Sequence, residues 1–133
     1  LRWAPDIIHC HGWLTSLIPL YIKKYYFNNP LFKNSKVVYS MYNDDFNITL
    51  NSGFRDKLMM EGMAAGDIDV LSDPNFENVS KLAINNSDAI IKGSEKINDE
   101  VDKYIQSSGK LFLDYHPKET YIEAYNNFYE KVW

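Results

Sequence analysis

Apolar residues along this chain fall into two patterns, short unbroken runs and stripes recurring every three or four residues, and the two alternate. Asp6 to Cys10 (DIIHC), after Pro5, is an apolar run of the length of a buried strand. Leu14, Leu17, Ile18, Tyr21, Ile22 and Tyr25 then repeat at helical spacing. Pro19 would break the interior of such a helix, so it is expected either in the first turn, with Thr15 or Ser16 as the cap, or at a kink. After the loop NNPLFKNS, Lys36 to Met41 (KVVYSM) predicts a second buried strand, and the Asn- and Asp-rich segment Asn43 to Ser52 a surface loop.

Gly53 to Met63 carries a weak helical pattern. A firmer helix is predicted from Asp73, with Asp73 as N-cap, Pro74 at the first helical position and Val79, Leu82 and Ala83 as its apolar stripe. Asp88 to Ser94 (DAIIKGS) predicts a third strand. Ile97, Val101, Tyr104 and Ile105 predict a helix stopped by Gly109. Leu111 to Tyr115 is a fourth apolar run, and Pro117 is expected to open a last helix with Tyr121, Ile122, Tyr125, Phe128, Tyr129 and Val132 on one face. Strands that are apolar at nearly every position and alternate with helices indicate an α/β fold, a parallel sheet covered on both faces. In such sheets the working groups sit just beyond the carboxyl ends of the strands. Three places qualify: His9 to Trp13, Tyr42 to Phe46 and Lys92 to Glu95.

With 133 residues, 45% of them hydrophobic, the chain can bury one core. A net charge of −4 provides no basic field for a nucleic-acid backbone or an anionic membrane. No apolar run approaches the roughly 20 residues that span a bilayer. The single cysteine, Cys10, cannot form an internal disulfide, which fits a reducing cytoplasm. The N-x-S/T triplets at Asn47, Asn78 and Asn85 therefore read as products of an Asn-rich chain. The opening Leu1-Arg2-Trp3 has neither an initiator methionine nor a signal peptide, so the N-terminus is expected to lie inside a longer protein.

The candidate chemistry centres on DIIHCHGW. A zinc site from His9 and His11 needs at least one further ligand, and His116 is remote in sequence. A reactive thiolate needs a cationic neighbour and exposure, whereas Cys10 lies in an apolar run and reads as a small buried hydrophobe. His9 reads as a hydrogen-bonded core residue and His11, beyond the strand end, as the functional candidate. Asp44-Asp45 is compatible with a magnesium-dependent phosphoacceptor as in receiver domains, but the order of elements does not fit, and a solvated turn is the simpler expectation. No Gly-rich phosphate loop is present. Aromatic residues make up 15% and suit sugar faces, although most of the tyrosines fall on the helical stripes.

The stretch PDIIHCHGWLTSLIPLYIK resembles the signature of bacterial glycogen and plant starch synthases, in which a strand ending His-x-His-Asp-Trp leads into a helix with a proline soon after. Pro5, Asp6, His9, His11, Trp13, Thr15, Leu17, Pro19 and Tyr21 match in order and spacing. KVVYSMYN resembles a strand ending Thr-Ile-His-Asn, with Asn43 at the asparagine. Asn78, Lys81, Asp88 and Ser94 match a third family segment without a gap, so the resemblance runs from residue 3 to about 101. Against the pattern, Gly12 replaces an aspartate, Leu14 a polar residue, Tyr42 a histidine, and Leu82-Ala83 a Gly-Gly pair.

The resemblance implies a Rossmann-like three-layer sandwich and the glycosyltransferase B architecture. Residues 1–133 would form a single fragment, the C-terminal half of the N-terminal, acceptor-side domain, with the segment before it and the nucleotide-gripping domain after it missing. It implies glucosyl transfer from a nucleotide sugar, ADP-glucose or UDP-glucose in relatives, to an α-1,4-glucan with retention, without metal or other cofactor. His11, Tyr42, Asn43 and Lys81 become the candidate glucan or nucleotide-sugar contacts. The four departures, taken as lying on the cleft side, point to relaxed catalysis, hence to a chain inactive in isolation or to a non-catalytic glycan-binding or regulatory module built on the same fold.

Overall fold

A computed structural model describes residues 3–133; Leu1 and Arg2, which bear on the expected internal start, lie outside the described residues. Four strands, β1 (Ile7–His11), β2 (Lys36–Met41), β3 (Ala89–Lys92) and β4 (Leu111–Leu113), form one parallel sheet in the order β1-β2-β3-β4. The register pairs His9 with Val38 and His11 with Ser40, then Val38 with Ala89 and Ala89 with Leu111.

Side chains alternate across this sheet, so each strand feeds two cores. Cys10, Val37, Tyr39, Met41 and Ile90 pack with Phe76, Ala83, Ile84, Val101 and Ile105. These come from α3 (Phe76–Asn85) and α4 (Asp99–Ser107). Val38, Ala89 and Ile91 turn the other way, against Phe128 and Val132 of α5 (Tyr121–Val132). The molecule is therefore the three-layer α/β sandwich that the alternating runs predict, with α5 covering the second face.

Several element boundaries differ from the sequence reading. The run after β1 is a 3-10 turn (Trp13–Thr15), then α1 (Ile18–Leu20), then one widened π turn (Tyr21–Tyr25). Pro19 does sit in the first turn of α1, but Leu17 takes the cap position without a side-chain bond, and Thr15 Oγ1 donates instead to the Gly12 carbonyl. Leu14 is 80% exposed, so the predicted stripe is not one buried face; Leu20, fully buried, does the packing. Of Gly53 to Met63 only α2 (Phe54–Leu58) is α-helical, and 3-10 turns at Ala65–Asp67 and Asp69–Ser72 follow. The helix expected with Asp73 as its cap starts two residues later, because the Asn75 side chain accepts from the Asn78 N–H and makes Phe76 the first helical residue. Phe76 is buried and joins the core. Pro117 accepts the Thr120 and Tyr121 N–H groups in a turn before α5 rather than opening the helix. Tyr121 and Ile122, placed on its apolar face by spacing alone, are exposed.

Loss of a capping acceptor costs about 1 kcal/mol. Asn75→Ala is expected to lower the unfolding free energy by about that amount in urea denaturation, and Asp73→Ala, which leaves the cap acceptor in place, by less.

Candidate functional site

β1 and β2 end side by side, and their last side chains on the α5 face build a polar cluster. His9 is held at both ring nitrogens, Nδ1 to the Tyr129 hydroxyl at 2.6 Å and Nε2 to Ser40 Oγ at 2.6 Å. His11 stacks on it with ring centroids 3.9 Å apart at 30°. Tyr42, one residue past β2, brings its hydroxyl 2.8 Å from His11 Nδ1. His11 is exposed, and its Nε2 has no hydrogen-bond partner among the described residues.

Burial and the neighbouring His11 push His9 down to about 4, and burial holds His11 below the usual imidazole range. Both rings are neutral at neutral pH. A neutral imidazole with one nitrogen engaged offers one donor or acceptor at the other, which suits a hydroxyl and not a metal whose ligand set is incomplete. Among the described residues no group of three His, Cys, Asp or Glu side chains is placed to hold a metal ion. Cys10 is buried on the opposite sheet face, its thiol pushed up to about 11, so it carries no thiolate near neutrality.

The segment after β2 is threaded between two glycines. A Cβ on Gly93, just beyond β3, would lie 2.5 Å from the Tyr42 ring, so the ring rests directly on that backbone. A Cβ on Gly12, just beyond β1, would lie 2.7 Å from Asp44 Oδ2. Between them, Asn43 donates its N–H to Ser94 Oγ, and Gly93 donates to the Met41 carbonyl at 2.7 Å. Asp44 thus departs from the expected solvated turn: it is half-buried, and its Oδ2 accepts the Trp13 N–H at 3.2 Å. Asp45 is exposed and accepts from Asn98.

His11 and Tyr42 therefore meet at one place, and Asn43, the next residue along the chain, is held by its N–H to Ser94. Lys81 does not join them; its amine lies 5.5 Å over the Tyr104 ring, between α3 and α4. Leu82 and Ala83 are also away from the strand ends, fully buried in the core, so they are packing residues rather than cleft-side changes. Spacing could not reveal the parts played by Asp44, Gly93 and Tyr129. Each acts on a residue 31 or more positions away, and the alternation of β2 is the one local signal that Ser40 shares a face with His9 and His11.

The family model described as the starch synthase catalytic domain matches residues 1–111. The chain belongs to that family. The glycogen synthase of Chlorobium luteolum is 34% identical over 103 residues, 76% of this chain and 20% of that protein. The glycogen synthase of Clostridium perfringens is 34% identical over 104 residues, 76% of this chain and 21% of that protein. A shorter match, 51% over 43 residues, covers 32% of the chain and 9% of the glycogen synthase of Chlorobium phaeobacteroides. The chain of this starch synthase family member spans about a fifth of the length of the relatives matched over most of it. No solved structure matches it. Among the described residues no helix is long and apolar enough to cross a membrane.

Two outcomes follow for the cluster. His9 binds a proton less readily folded than unfolded, so its contribution is complete above pH 6.5 and is lost as pH falls toward 4. The urea midpoint is expected to fall through that window, with a shallower fall in His9→Gln. Gly93→Ala is expected to displace the Tyr42 ring, to cost about 1–3 kcal/mol as an overpacking change, and to shift the His11 ring resonances in proton NMR.

Proposed function

We propose that this chain is the C-terminal half of the acceptor-side domain of a glycogen or starch synthase-type glucosyltransferase of the glycosyltransferase B architecture. The observation that carries the reading is the His11-Tyr42 pair at the carboxyl ends of β1 and β2, with His11 Nε2 unpartnered among the described residues, in a chain of the starch synthase family. The substrates proposed are a nucleotide sugar, ADP-glucose first, and the non-reducing end of an α-1,4-glucan, with retention at the anomeric carbon. His11 Nε2, the Tyr42 hydroxyl and the Asn43 side chain would meet sugar hydroxyls; Lys81, seated over Tyr104, is assigned no contact in this cleft. A cytoplasmic setting is proposed on the strength of the lone, buried Cys10.

Glucosyl transfer requires charge stabilisation of the departing diphosphate. At the neighbouring strand ends a cavity of about 670 Å³ is lined by two cations, Lys92 and Lys103, and by Asp99, Asp102 and Asp114; the Lys92 amine lies 3.4 Å from Asp102 and 3.9 Å from Asp114, and the Lys103 amine 3.0 Å from Glu100. Both cations are already offset by carboxylates. The chain alone is therefore proposed to bind glucan without turning it over.

Calorimetric titration with maltoheptaose is expected to show binding that weakens about tenfold in His11→Ala, and incubation with ADP-glucose to show no glucose transfer. Absence of heat at millimolar maltoheptaose would remove the glycan-facing assignment. Sustained transfer by the chain alone would remove the claim of inactivity.

A further inference from the structure

The contact between Asp44 and Gly12 is the part of this site that the sugar-facing assignment leaves unused. Gly12 adopts φ 71° and ψ 172°, a conformation open to glycine and costly for any residue with a Cβ. The space into which a side chain at position 12 would grow is filled by the Asp44 carboxylate, whose Oδ2 lies 2.7 Å from the Cβ position. The same oxygen accepts the Trp13 N–H, the first of the helical run, which no side chain at position 12 caps. Gly12 is otherwise fixed by backbone alone, its N–H donated to the Ser40 carbonyl at 3.0 Å and its carbonyl accepting the Thr15 N–H at 3.1 Å.

In the resembling motif position 12 is an aspartate, a residue that caps a helical turn locally. Here the carboxylate arrives instead from the neighbouring strand end, two residues after the tyrosine that holds His11. The two links between these strand ends, Asp44 to Trp13 and Tyr42 to His11, bracket His11-Gly12 on either side.

We propose that Asp44 is a positioning residue of the cleft: its carboxylate replaces in space the side chain absent at Gly12, and it holds the turn after β1 so that His11 meets Tyr42. What His11 then touches rests on the functional reading above; the Asp44-Gly12 pairing does not. Burial holds the Asp44 carboxyl above the usual carboxylate range, with the Trp13 N–H pulling the opposite way and the Asp45 charge adding to the rise. Tyr39 and Tyr42 are the other titrating groups coupled to it. Among the described residues Asp44 Oδ1 is buried without a partner, so an asparagine amide fits there and keeps the acceptor for Trp13.

The test follows the Trp13 amide and the His11 ring by NMR in the full chain between pH 3 and 8, in wild type, Asp44→Asn and Asp44→Ala. The Trp13 amide should titrate with the Asp44 carboxyl in wild type and lose that titration in Asp44→Asn, while the His11 ring shifts stay at wild-type positions. Asp44→Ala should move both sets of signals. A Trp13 amide that does not titrate in wild type, or His11 shifts unchanged in Asp44→Ala, would overturn the proposal.

Pairing is tested separately by a double-mutant cycle in urea. Gly12→Ala should lower the midpoint more in wild type than in the Asp44→Ala background, where the clash is gone; equal drops would overturn it. If Asp44→Ala does not fold, Asp44→Asn still decides through the lost titration. Failure of maltoheptaose to bind alongside the expected NMR pattern would remove the sugar-facing assignment and leave the Asp44 pairing standing.

Discussion

Burial of β2 on both faces is the constraint from which the rest of the structure follows. From Val37 to Met41 no residue reaches solvent, so each side chain must find a partner layer, and successive residues must find opposite ones. Val37, Tyr39 and Met41 require α3 and α4; Val38 requires α5. The backbone polar groups of such a strand must also be satisfied. Asp88 Oδ2 takes the Val37 N–H at 2.6 Å and is itself held by the Lys23 amine at 2.6 Å. Ser40, the polar residue that this burial tolerates on the α5 face, is kept there by its bond to His9. The site is thus an extension of the core, built where the sheet ends and its side chains reach water.

Much of this was legible in the residues because it depends on local periodicity. The apolar run predicts β2 at Lys36 to Met41 and the strand lies there, because five consecutive buried positions leave a signal that no loop imitates. The helix after β1 was less legible. Its spacing placed Leu14 on the apolar stripe, but the chain leaves β1 through a Gly-only conformation into a 3-10 turn, and Leu14 emerges into solvent. At α3 both Asp73 and Asn75 are competent caps; the choice between them is made by which one the burial of Phe76 sets at the helix start. Contacts such as His9 to Tyr129, 120 residues apart, leave no trace in spacing.

The departures from the family pattern look different in three dimensions. Leu82 and Ala83 fill the core, and Leu14 is a surface residue. Only Gly12 and Tyr42 belong to the strand ends, and each is fitted to a neighbour: Gly12 to the Asp44 carboxylate, Tyr42 to the Gly93 backbone and the His11 ring. A site losing its role would accumulate mismatched side chains. These two strand-end positions are mutually consistent, as expected where local choices agree with the fold around them.

The helix α5 carries a separate consequence. The family match ends at residue 111, yet Phe128 and Val132 close one face of the sheet and Tyr129 completes the hydrogen bonding of His9. The segment that the family model matches is therefore shorter than the set of elements that covers the sheet. A fragment trimmed at residue 111 would present Val38, Ala89 and Ile91 to water, an unshielded apolar sheet face of the kind that drives self-association. In this protein the histidine nearest the core depends on a helix that lies beyond the matched motif region.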